Sequence, residues 1–121
     1  MARLSRKKIN PELNQKIQQL FYQLIADLKN PQEVEIFLKD FLNKPELELL
    51  TKRLAIAYFL SQNQSYQDIK KNLAVSSTTI ASVLRKIKHR GYQLALKKIQ
   101  TDQWADRWVK RIGQIMKFAK K

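Results

Sequence analysis

Five small hydroxyl side chains crowd the start of one predicted helix, in the stretch VSSTTIASVLRKI that runs from Val75 to Ile87. Short hydroxyls let a helix backbone come close to a base pair, where they donate or accept hydrogen bonds, and a threonine methyl group contacts thymine. Because serine and threonine each cost a helix interior up to about 0.7 kcal/mol, the cluster predicts base contacts with a nucleic acid. For any single hydroxyl, helix capping or packing is an equally good interpretation. The predicted base contacts are Ser76, Ser77, Thr78, Thr79 and Ser82.

Cations lie on both sides of these hydroxyls, where a helix crossing a groove meets the phosphate backbone. The positive end of the helix dipole would assist at a phosphate. The predicted phosphate contacts are Lys70, Lys71, Arg85, Lys86, Lys88 and Arg90.

The net charge of +14 is concentrated at the two ends of the 121-residue chain. Residues 1–8 carry four cations and no acid, residues 9–84 carry eight of each, and residues 85–121 carry twelve cations and two acids. A neutral body with two basic ends is the electrostatic footprint of a protein that binds a polyanion. The alternative is a solvated surface that keeps the protein in solution.

The hydroxyl cluster follows a pattern that is typical of a helix-turn-helix. Ser65 to Asp68 form a predicted capping box, which opens a short helix with Ile69 and Leu73 on its inner face. After Ala74 and Val75 a second helix begins, so we predict a helix-turn-helix at about residues 65–88 whose second helix enters the major groove. The predicted buried stripe of this second helix is Ile80, Val83, Leu84 and Ile87.

The rest of the chain is also predicted to be all-α, since it has two glycines, three prolines and no sustained alternation. Asn10-Pro11 and Asn30-Pro31 are cap-and-start signals, with Glu33 placed to complete a capping box, and a third helix should begin at Pro45. The predicted buried faces are Leu13, Ile17, Leu20, Phe21, Leu24, Ile25 and Leu28 on the first helix, and Val34, Phe37, Leu38, Phe41 and Leu42 on the second.

The third helix is apolar on almost every side from Leu54 to Leu60. Such a helix must be covered nearly all round, and burial between two subunits would achieve this. We therefore expect a homodimer; the alternative is a central helix in a monomeric bundle.

The segment from Leu49 to Ile87 resembles the tryptophan repressor superfamily, especially the branch of Trp repressor-like proteins without an assigned ligand. The resemblance covers about residues 15–90, and Lys70 matches a lysine of the tryptophan repressor, whereas Ala74 departs from the glycine usual in the turn. It implies an all-helical, intertwined homodimer that binds a palindromic operator on double-stranded DNA, with two recognition helices about one DNA turn apart.

The resemblance does not extend to tryptophan binding. Where the repressor has an Arg-Gly pair that holds the amino acid, this chain has Ser82 and Val83. Ser82 lacks the planar guanidinium fork, and the branched Val83 fills the space that glycine leaves open. We expect no tryptophan corepressor and no cofactor.

Three domains are predicted: a basic N-terminal arm (1–9), a Trp repressor-like helical domain (10–90) and a basic amphipathic helical extension (91–121). In the extension, Trp104 and Trp108 share one face of a predicted helix that starts at Thr101-Asp102. This helix is expected to dock on the protein's own core or on the partner subunit; a membrane surface or additional phosphate contacts are the alternatives.

Other classes of protein fit the sequence less well. The chain has no cysteine, a lone His89 and no Gly-rich loop or nucleophile elbow, so we predict neither a metal site nor an enzyme. The longest apolar run is too short for a bilayer and the N-terminus does not resemble a signal peptide, so we expect no membrane partner and a cytoplasmic, nucleoid-associated protein.

The sequence thus predicts a sequence-specific DNA-binding transcriptional regulator, a repressor that is independent of tryptophan. The alternative is a non-specific architectural DNA- or RNA-binding protein that acts through its basic ends. A protein-interaction module is a third possibility.

Overall fold

The computed structural model describes residues 7–101, which form six helices and no strand. The predicted all-α fold is therefore confirmed for this part of the chain. Most of the predicted basic arm and the predicted helix that starts at Thr101-Asp102 lie outside the described residues. The helices are α1 (Pro11–Asp27), α2 (Pro31–Phe41), α3 (Lys44–Ser61), α4 (Tyr66–Leu73), α5 (Ser77–Lys86) and α6 (Arg90–Ile99).

The predicted capping residues begin the first two helices. The Asn10 side chain accepts a hydrogen bond from the backbone N–H of Glu12 at 2.9 Å, and Asn30 accepts one from Glu33 at 2.9 Å. The Glu33 carboxylate in turn accepts from the N–H of Lys29 at 3.0 Å, one residue before the cap itself. These contacts satisfy N–H groups that the first turn of a helix leaves without partners.

The chain divides into two compact units, and the first, Met1–Lys44, contains α1 and α2. Neither helix has a buried residue, although the rings of Phe21 and Phe37 lie 6.0 Å apart between their centroids. Leu20 on α1 is 70% exposed and Phe41 on α2 is 65% exposed. The prediction that these two faces are buried is wrong for the single chain: the α1 face is mostly exposed, and the α2 face is half-buried except at Phe41. Two helices alone provide too little surface to bury both faces fully.

The second unit, Pro45–Lys121, contains the core, to which α3, α4, α5 and α6 all contribute. Burial in this core raises the pKa of Tyr58 above its usual value, because the charged phenolate would lose its hydration. The largest fully buried side chains are those of Phe59, Ile56, Ile69 and Ile80.

The apolar segment of α3 is largely covered within one chain. Ile56 and Ala57 are fully buried, and Tyr58 and Phe59 are buried as well. The three helices that follow α3 also pack apolar side chains against it, whereas Leu54 and Leu60 remain partly buried. The homodimer stays a prediction.

The core also includes α6, which begins at Arg90 directly after the helix-turn-helix. Leu96 and Ile99 are both 95% buried in the same cluster as Ile80. The helix α6 therefore contributes side chains to the core of the second unit. Within the described range, no helix combines the length and the hydropathy needed to cross a bilayer.

Candidate nucleic-acid interface

The helices α4 and α5 form the predicted helix-turn-helix, joined by residues 74–76. Ser65 caps α4 by accepting from the N–H of Asp68 at 3.1 Å, and Ile69 anchors the helix in the core. The chain then reverses direction at Ala74, which has φ 54° and ψ 51°. This left-handed conformation is disfavoured for a residue with a β-carbon by about 1–2 kcal/mol.

We expect that the substitution Ala74→Gly stabilises the protein by about 1 kcal/mol, because glycine adopts positive φ without a steric penalty. Urea denaturation followed by circular dichroism would measure the change in the free energy of unfolding. The matched control is Asn63→Gly, at the other described non-glycine position with positive φ, 63°. Asparagine tolerates this region better than alanine, so Asn63→Gly should gain less. A stability loss on Ala74→Gly would contradict the interpretation.

Two of the five predicted base-contacting hydroxyls are engaged at the start of α5. Ser76 caps the helix, and its Oγ accepts from the backbone N–H of Thr79 at 3.1 Å. The same Oγ lies 3.0 Å from the Thr79 Oγ1, so that the two hydroxyls share a hydrogen bond. Both side chains therefore hold the leading end of α5 in shape.

The other three hydroxyls have no hydrogen-bond partner in residues 7–101. Ser77 and Thr78 are exposed in the first turn of α5, and Ser82 is half-buried one turn later. The core side of α5 is defined by Ile80, which is fully buried, and Val83, which is 2% exposed. Thr78 lies almost opposite this side, and Ser77, the first residue of the helix, lies about 90° from it. The buried pair fixes the orientation of α5, and as a result the first two hydroxyls point into solvent with free hydrogen-bonding capacity.

The six predicted phosphate contacts are all exposed and surround α5 along the chain. Lys70 and Lys71 end α4, whereas Lys88 and Arg90 lie between α5 and the first turn of α6. From residue 65 to residue 101 the chain has eight cations and one acid, Asp68. None of these cations forms an ion pair in the described part of the chain, whereas Lys39 pairs with Glu35 on α2. Residues 65–101 therefore carry a net charge of +7.

Sequence patterns missed a residue that positions α5 from its far end. The Gln93 side chain on α6 donates a hydrogen bond from Nε2 to the backbone carbonyl of Ile87 at 2.7 Å. This contact satisfies a carbonyl group where α5 ends and joins α5 to α6. It crosses a break between helices, and no helical periodicity signals such a contact.

Two residues of the predicted buried stripe on α5 are not fully buried, since Ile87 is only partly buried and Leu84 is exposed. Leu84 is 46% exposed, and the prediction of its burial is wrong. The core side of α5 is centred between Ile80 and Val83, so that Leu84 lies at its edge. The buried side of α5 is therefore narrower than the spacing of its apolar residues predicted.

Among residues 7–101, no group of three or more His, Cys, Asp or Glu side chains is placed so that it could hold a metal ion. An apolar recess between α3 and α6 contains one charged group, the guanidinium of Arg53. The residues that line the recess are Leu50, Arg53, Leu54, Gly91, Tyr92 and Ala95.

Comparison with protein families gives a match to the model described as Trp repressor protein, over residues 15–100. The matched range runs from within α1 through the helix-turn-helix to the end of α6. A comparison with curated proteins gives no match.

Proposed function

The chain belongs to the Trp repressor protein family, a family of helix-turn-helix DNA-binding regulators, and from this premise we propose that it is a sequence-specific, dimeric repressor that acts without tryptophan. The observation that carries the proposal is the pair of exposed, unpaired hydroxyls at the leading end of α5, Ser77 and Thr78. In a helix-turn-helix this end of the second helix meets base edges in the major groove. The helix α5 is therefore the recognition helix.

Among the five hydroxyls, we assign direct base contacts to Ser77 and Thr78. Ser76 and Thr79 act mainly by holding the first turn of the recognition helix, since their oxygens already bond to each other. Ser82 is half-buried, so its hydroxyl reaches a base only where that base lies close to the backbone of α5. The exposed lysines and arginines on either side of α5 bind phosphates and orient the helix in the groove.

The proposed dimer rests on the first unit. Many of its apolar side chains are exposed in the single chain, and a second copy would remove them from water. Contiguous apolar patches of this kind mark protein–protein interfaces. A twofold dimer presents two recognition helices to an inverted repeat. The large apolar residues of α1 and α2 that are at least 39% exposed are Leu13, Ile17, Leu20, Phe21, Tyr22, Leu24, Ile25, Ile36 and Phe41.

Independence from tryptophan rests on the two positions that replace the Arg-Gly pair. Val83 is 2% exposed and belongs to the core cluster, so its isopropyl group occupies space that a glycine would leave open. Ser82 is too short to form the bidentate contact that a guanidinium makes with a carboxylate.

Selection of binding sites from random DNA duplexes, at physiological salt and without tryptophan, tests the proposal directly. We expect recovery of an inverted repeat whose two halves are about one helical turn apart. Specific complexes of this kind typically bind about 10³–10⁷ times more tightly than random sequence. Recovery of no common motif would contradict sequence specificity.

Thr78 and Lys88 should respond differently to truncation. We expect Thr78→Ala to weaken binding to the selected site by about 1–3 kcal/mol and to relax specificity, because a base contact is lost. Lys88→Ala should weaken binding to all sequences about equally, because phosphates carry no sequence information. Fluorescence anisotropy with selected and random duplexes would measure both effects. Equal losses on the two duplexes for both variants would contradict the assigned roles.

The second candidate function is non-specific architectural binding to DNA or RNA. It is favoured by the density of cations from residue 65 to residue 101 and at both ends of the chain. Charge alone gives strong, salt-sensitive binding with little discrimination. The site selection described above separates the two functions, since only sequence-specific binding returns a motif.

A further inference from the structure

We infer that Arg85 reads a guanine base in each half of the binding site, in place of the phosphate contact that the sequence predicts. This inference rests on the proposed function, because it assumes that α5 lies in the major groove. It adds a second specificity-determining residue, two turns beyond Thr78.

The direction of Arg85 follows from helix geometry. Successive residues of an α-helix are rotated by about 100°, and the buried Ile80 and Val83 define the side of α5 that faces the core. With that rotation, Thr78 and Arg85 each lie within about 10° of the direction opposite to the buried pair. Arg85 therefore lies on the outward line of the helix, directly behind the proposed base contact of Thr78.

The neighbouring cation on α5 has a different direction. Lys86 is rotated by about 90° from the core side, which places it toward the rim of a groove that holds α5. Phosphates line that rim, whereas base edges lie beneath the outward line. The two adjacent cations are thus assigned different partners.

The surroundings of Arg85 leave its guanidinium available. The residue is exposed, and no acid forms an ion pair with it among residues 7–101. Between Thr78 and Arg85 the outward side of the helix carries Ala81 and Ser82, two small residues that allow the backbone to come close to the bases. An arginine in the major groove forms two hydrogen bonds with O6 and N7 of guanine, the commonest specific contact of this kind.

The spacing of the two residues predicts where the guanine lies. Seven residues along an α-helix span about 10.5 Å, and base pairs are stacked about 3.4 Å apart. If the helix follows the groove, the guanine lies about three base pairs from the pair that Thr78 contacts. A separation of two to four pairs agrees with this geometry.

Site selection with the full-length variants Arg85→Lys and Thr78→Ala tests the inference. Arg85→Lys keeps the charge but loses the planar fork, so a preference for guanine at one position of each half-site should fall by about 10- to 100-fold. Thr78→Ala should alter a different position, two to four pairs away. The matched control is Arg53→Lys, the same exchange at an exposed residue of α3 that has no assigned DNA contact, which should leave the motif unchanged.

A second measurement uses the wild-type protein and does not depend on any variant. Replacing the guanine by 7-deazaguanine removes the N7 acceptor, and this should weaken binding at that position by about 10-fold. An unchanged motif for Arg85→Lys, or full affinity for the 7-deazaguanine site, would overturn the inference. A wild-type protein that selects no motif would instead overturn the proposed function, so that the two failures are distinguishable.

Discussion

Replacing Leu20 by aspartate is expected to convert the proposed dimer to monomers and to weaken operator binding at least about 100-fold. Leu20 is 70% exposed in the single chain and lies on the apolar face of α1. In the proposed dimer a second copy covers that face, and burying an unpaired carboxylate there would cost several kcal/mol. Two linked recognition helices gain about 10²–10⁴ in affinity over a single one, and this gain is lost in the monomer.

Sedimentation equilibrium would measure the oligomeric state of Leu20→Asp, and anisotropy would measure its affinity for the operator. The matched control is Gln19→Asp, which adds the same charge at the adjacent residue on the opposite, polar side of α1. This control should remain dimeric and should bind normally. Circular dichroism would verify that both variants keep their helical content. A Leu20→Asp protein that remains dimeric would contradict the proposed interface.

Raising the salt concentration from 50 to 200 mM is expected to lower the affinity for the operator by a factor of about 10³–10⁵. This is the range for proteins that make six to ten phosphate contacts. Five cations remain assigned to phosphates, and all are exposed, without ion pairs in the described part of the chain; in the two copies of a dimer they would supply ten contacts. They are Lys70, Lys71, Lys86, Lys88 and Arg90. Random DNA should lose affinity in near parallel, because the released counterions come from the same backbone. The ratio of the two affinities should remain about 10³ or higher throughout.

Titrations at several salt concentrations would give the slope of log affinity against log salt for each duplex. Lys88→Gln should make the slope shallower by about one for each phosphate contact that is lost. Lys39→Gln is the matched control. Lys39 lies on α2, far from the recognition helix in sequence, and it pairs with Glu35 at 2.7 Å. This variant should leave the slope unchanged. A flat salt response would favour the protein-interaction module. Equal affinities for both duplexes would favour the architectural protein.

Local features of this protein could be predicted from its sequence because their causes lie within one or two turns of a helix. Asn10, Asn30, Ser65 and Ser76 cap helices at the predicted places, and each cap is a hydrogen bond to an N–H group two or three residues away. The helix-turn-helix and the burial of Ile80 follow in the same way, from short-range capping and from apolar spacing along one helix.

Burial, by contrast, was decided by the tertiary structure. The apolar faces of α1 and α2 have the same spacing as a buried helix, yet in the single chain the α1 face is mostly exposed and the α2 face is only half-buried. The middle of the apolar segment of α3, from Ile56 to Phe59, is buried against α4, α5 and α6. The contact from Gln93 to Ile87 crosses between two helices. Apolar periodicity marks the side of a helix that can be covered. Which element covers that side depends on contacts between residues far apart in the chain, and a repeat within one helix carries no information about them.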